Sequence, residues 1–171
     1  MKGPSLRISR LVWFAIFCSV VLFYVSFRLT EHPSAPADPS LFLPFAGLSL
    51  TSAVMSFVIP RLMQRGANAF GLETREVPGV VTPDSPNATK RVFTDPDKAR
   101  LKAWQLFQTK LTLSLALSET PALFGYFLGF TGFSEERILP FFVASLVLIA
   151  VRFPTANAAE KMLEGSAGAS F

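Results

Sequence analysis

The sequence predicts an all-α integral-membrane protein, a four-helix bundle of two helical hairpins with a juxtamembrane helix before the third span. Three observations carry this. Half of the 171 residues are hydrophobic, and Phe alone contributes 18. The apolar residues are gathered into four runs, three of them near the ~20 residues needed to cross a ~30 Å hydrocarbon core. Lys and Arg flank these runs and form no single basic surface, which speaks against nucleic acid despite the net charge of +4.

The first hairpin is placed at residues 1–60, with spans at about 11–29 and 41–59. The first run, "LVWFAIFCSVVLFYVSFRL", follows a basic start, "MKGPSLRISR". A secretory signal has a similar start, and "APA" stands at 35–37. The apolar run exceeds the usual ~7–15 residues, however, and the small-residue site lies well beyond its end, which favours an anchor. The second run, "LFLPFAGLSLTSAVMSFVI", is followed by Pro60, which is expected to close it.

Residues 61–103 form the one substantial polar segment. The centre, "REVPGVVTPDSPNATK", is rich in turn formers and reads as irregular or as a small hairpin. Thr94 with Asp97 resembles a capping box, and Pro96 suits a first turn. From there "DKARLKAWQLFQTK" can run unbroken into the third span. Lys98, Arg100, Lys102 and Lys110, with Trp104, are candidates for anionic headgroups.

The second hairpin, 104–154, has spans at about 109–130 and 137–153. The fourth run is short and is expected to let Arg152 snorkel toward water. The tail, 155–171, offers a short surface helix. Both hairpins carry "LPF", at Leu43–Phe45 and Leu139–Phe141. Tandem duplication explains this, as does the fitness of Pro for a helix start.

Orientation follows from the positive residues. Lys2, Arg7 and Arg10 precede the first span, and eight Lys or Arg lie between the second and third. Both termini and the long loop are therefore assigned to the cytoplasmic side.

The chemistry-bearing residue is Glu119, near the middle of the third span. Thr112 and Tyr126 stand seven residues away on either side, on a row expected to face the bundle. Ser49 and Ser52 on the second span, Ser145 on the fourth and Ser19 on the first lie at similar depth. These residues compose a candidate intramembrane polar cluster. Pro121 cannot donate to the Leu117 carbonyl, so a freed acceptor stands beside the carboxyl group. No Lys or Arg is expected at this depth. Two roles are open: hydrogen-bonded packing between helices, or a proton or ion site.

Enzyme chemistry is not expected. Cys18 and His32 are the only residues of their kinds, and no Gly-rich phosphate loop or nucleophilic triad is present. No cofactor or metal is predicted. The expected partners are the lipid bilayer, further copies of the chain and other membrane-complex subunits.

"LALSETPALFGYFLGFTG" at 115–132 and "RFPT" at 152–155 resemble a set of uncharacterised small bacterial four-span inner-membrane proteins. The resemblance covers the second hairpin, and the rest in span count and spacing. It implies the bacterial inner membrane and no particular activity. Glu119 with the small residues after it and Gly125 also bears a faint likeness to the proteolipid c subunit of rotary ATPases. There the likeness departs: Glu119 lies on the first helix of its hairpin, and a Gly-rich packing helix is missing.

Overall fold

The computed structural model describes residues 4–30, 37–66, 74–78 and 89–155. Four α-helices and one pair of antiparallel strands account for most of them. The helices are α1 (Pro4–Leu29), α2 (Phe42–Gly66), α3 (Pro96–Phe130) and α4 (Glu135–Ala150). The first three are long and apolar enough to cross a membrane, with mean hydropathies of 2.1, 1.8 and 1.2 over their candidate spans. The 16 residues of α4 rise only ~24 Å.

The chain divides into two compact units: residues 1–60 with 111–154, and residues 61–110 with 155–171. The first unit contains the polar residues singled out in the spans. Its helices alternate in direction, as the side-chain pairings show. Ser19 meets Glu119 and Phe27 meets Gly129, so α1 runs parallel to α3. Trp13 meets Ile149 and Tyr24 meets Phe142, so α1 is antiparallel to α4. Phe45 on Phe124 and Ser52 on Leu117 make α2 antiparallel to α3. α3 is the inner helix: 44% of its span window is buried, against 11% for α1 and for α2.

Two glycines permit this closeness. A Cβ on Gly125 would lie 2.8 Å from the Phe141 Cβ, and one on Gly129 would run into the Phe27 ring. The turn into α4 is a Schellman motif. Phe133 N–H donates to the Leu128 carbonyl at 3.2 Å and Gly132 N–H to the Gly129 carbonyl at 3.1 Å. Gly132 takes φ of 90°, the left-handed value that this cap requires. At this end Arg28 pairs with Glu135 at 2.9 Å, and Tyr24 donates to the same carboxylate at 2.5 Å.

Between α1 and α2, Asp38 Oδ1 accepts from Ser40 N–H at 2.9 Å, opening a single 3-10 turn at Pro39–Leu41. Pro60 does not close the second helix. It sits buried inside α2, which continues to Gly66.

In the second unit, β1 (Thr74–Pro78) pairs antiparallel with β2 (Thr89–Phe93), from Thr74 opposite Phe93 to Pro78 opposite Thr89. The two ends of the turn-rich segment thus pair as antiparallel strands; residues 79–88 lie outside the described residues. The N-cap of α3 lies one residue later than the Thr94 capping box predicts. Asp95 Oδ1 accepts from Lys98 N–H at 3.0 Å, and Pro96 takes the first helical position. The predicted tail helix falls at 156–171, outside the described residues.

Candidate functional site

Proline leaves the carbonyl four residues before it without its helical donor. The described helices hold three such interior prolines, Pro60, Pro121 and Pro140, and the carbonyls freed by the first two are capped from a neighbouring helix. Pro121 frees the Leu117 carbonyl, and Ser52 Oγ of α2 donates to it at 2.9 Å. Pro60 frees the Ser56 carbonyl, and Arg152 Nη2 donates to it at 3.0 Å. An uncapped buried carbonyl costs ~1–3 kcal/mol, so these contacts offset the missing donors as well as joining helices.

Arg152 follows α4 and does not snorkel outward. Its Nη2 also donates to Ser56 Oγ at 2.7 Å. Its Nη1 donates to Ser118 Oγ and to the Leu148 carbonyl, both at 2.7 Å. Its guanidinium stands 4.3 Å from the Phe57 ring centroid. The fork geometry of guanidinium lets one side chain reach three helices. Ser118 Oγ in turn donates to the Ser114 carbonyl at 2.7 Å, and Ser145 Oγ donates to the Ser118 carbonyl at 2.6 Å. Ser56, Ser118 and Ser145 are almost wholly buried.

This corrects the expectation that no cation lies at the depth of Glu119. Arg152 bonds Ser118, the residue immediately before it. Adjacent helical residues point about 100° apart, however, so the guanidinium and the carboxyl group serve different faces of α3. Glu119 accepts from Ser19 Oγ of α1. Ser19 also approaches the Ile16 carbonyl at 2.7 Å.

The predicted cluster is therefore distributed. Glu119 and Ser19 join α3 to α1. Ser52 and Ser145 cap adjacent carbonyls on another face of α3. Ser49 is buried, and its hydroxyl has no hydrogen-bond partner among the described residues. Tyr126 Oη lies 3.3 Å from Ser26 Oγ, and its ring packs on Phe23 and Phe130. Thr112 is exposed and does not join the site. The reason is helical drift: seven residues fall ~20° short of two turns, so the row through Tyr126, Glu119 and Thr112 rotates progressively off the buried face.

Of the headgroup candidates, Lys98 is exposed, and Lys102, Trp104 and Lys110 are half-buried. Trp104 meets Phe107 edge-on at 5.7 Å. The Arg100 side chain lies outside the described residues. No group of three His, Cys, Asp or Glu able to hold a metal occurs among the described residues.

Arg152, which was expected to snorkel, and Ser56 and Ser118 are the site residues left out of the predicted cluster. A signal was present for Arg152: Pro60 frees an acceptor on α2, and Arg152 is the cation at the closing end of the fourth apolar run. Compared with family models, curated proteins and solved structures, the chain matches none.

Proposed function

We propose that this chain is a four-helix protein of the bacterial inner membrane, with both termini cytoplasmic, serving as a structural or accessory subunit of a membrane complex. The supporting observation is how the interior polar groups are used. Ser19, Ser52, Ser145 and Arg152 each bond a helix other than their own. In an apolar medium such bonds hold helices together, at ~1 kcal/mol each.

The rival reading is a minimal proton- or ion-handling protein working through Glu119. It draws on the half-exposed position of that carboxyl on an apolar helix. The test is gentle purification from the native membrane, followed by native mass and identification of every co-purifying chain. A defined hetero-complex supports the subunit reading. A homo-oligomer whose ion flux is lost in Glu119→Gln overturns it, because an amide keeps the Ser19 bond and cannot titrate.

A further inference from the structure

We propose that the end of the first unit where α1 begins and α4 ends is a binding site for the phosphate of an anionic glycerophospholipid. The inference rests on the membrane reading above. At this end residues 4–13, 56–60, 111–115 and 148–154 contain Arg7, Arg10 and Arg152, and no Asp or Glu. The opposite end is mixed: Arg28, Asp38, Glu135, Glu136 and Arg137 lie there, and Arg28 is paired with Glu135. Among the described residues of this unit, arginines with no acidic residue beside them in the sequence thus lie at one end.

The cations are set among aromatic rings. Arg10 lays its guanidinium over the Phe153 ring, 5.6 Å from the centroid. Trp13 meets the same ring edge-on at 5.1 Å and spends its indole N–H on the Ile149 carbonyl at 2.8 Å. Aromatic residues with one polar edge gather at headgroup depth, so this layer marks where lipid phosphates lie. A guanidinium stacked on a ring keeps its in-plane N–H groups for a second partner, and its fork suits a phosphate bidentately. Arg7 and Arg10 are exposed and share one helix face, three residues apart. Arg152 takes no part, because its guanidinium is turned inward and its terminal nitrogens are already engaged within the protein; the site is that of Arg7 and Arg10. A phosphodiester supplies the one negative charge and the acceptor oxygens that this arrangement lacks.

The experiment is native mass spectrometry of the full chain in mild detergent, offered phosphatidylglycerol and phosphatidylcholine at equal concentration. The expected result is preferential retention of phosphatidylglycerol. The preference falls roughly fivefold for each arginine removed in Arg7→Gln and Arg10→Gln, and is unchanged in Arg137→Gln. Equal retention of the two lipids overturns the inference. So does a preference that survives the double variant, or one lost equally in Arg137→Gln. Displacement of the lipid by inorganic phosphate would make this a bare anion site, and also overturns it. An alkaline carbonate wash of the membranes separates the two levels. Release of the chain overturns the membrane reading and this inference together. Firm retention without lipid preference overturns this inference alone.

Discussion

Arg152 donates to the Ser56 carbonyl at 3.0 Å, the acceptor that Pro60 strips of its helical donor. A residue after one helix thus completes the backbone of another. Replacing Arg152 with Met removes this bond and those to both serines, and leaves buried acceptors behind. The expected loss is ~2–4 kcal/mol of stability. Pro60→Ala restores the missing N–H, so the double variant should lose about 1 kcal/mol less than the sum of the singles. Unfolding of the four proteins in mixed micelles checks this. Strict additivity would contradict the assigned role.

Ser52 has the same relation to Leu117 and Pro121. Ser52→Ala is expected to destabilise by ~1 kcal/mol, and by less when Pro121 is also Ala. The same unfolding assay reads it.

Gly125 sets the separation of α3 and α4. The atom a methyl would strike is the Phe141 Cβ, which cannot rotate away. Gly125→Ala should force the helices apart at ~1–3 kcal/mol. A cysteine pair across this interface should crosslink more slowly in the variant.

Glu119 distinguishes packing from proton chemistry. Under the subunit reading Glu119→Gln stays within ~0.5 kcal/mol of the parent, because the amide oxygen still accepts from Ser19. Glu119→Leu leaves Ser19 without that acceptor and costs ~1 kcal/mol. Stability of both variants, measured beside complex assembly, tests the pair.

Asp38 offers a pH-dependent local prediction. Its carboxylate accepts from the Ser40 backbone and hydroxyl, which holds its pKa below the ordinary 3.8. A depressed acid stabilises the turn fully above its unfolded value, and the contribution fades as pH falls through the folded value. The amide shift of Ser40 should titrate with that midpoint, and the titration should vanish in Asp38→Asn.

Much of the helical architecture was legible because burial in an apolar medium is a property of composition and run length. Nineteen-odd apolar residues rise far enough to span, whatever they pack against. The freed carbonyl at Leu117 was legible too, since the missing N–H of Pro121 is covalent. Helix ends were read less well. Pro60 reads as a terminus from local rules, yet α2 passes through it because Arg152 takes over the lost donation.

By itself, the sequence determined three helices able to cross a membrane, a polar residue at the middle of one, and the turn-rich character of the segment before it. Only the tertiary structure decided which polar groups meet. It turned Arg152 inward, gave Glu119 to Ser19, divided the serines between two faces of α3 and left Thr112 outside. The physical reason is that a hydrogen bond needs a partner within ~3 Å. Such distances are set by where helices cross and how closely they approach, neither of which is a property of one segment alone.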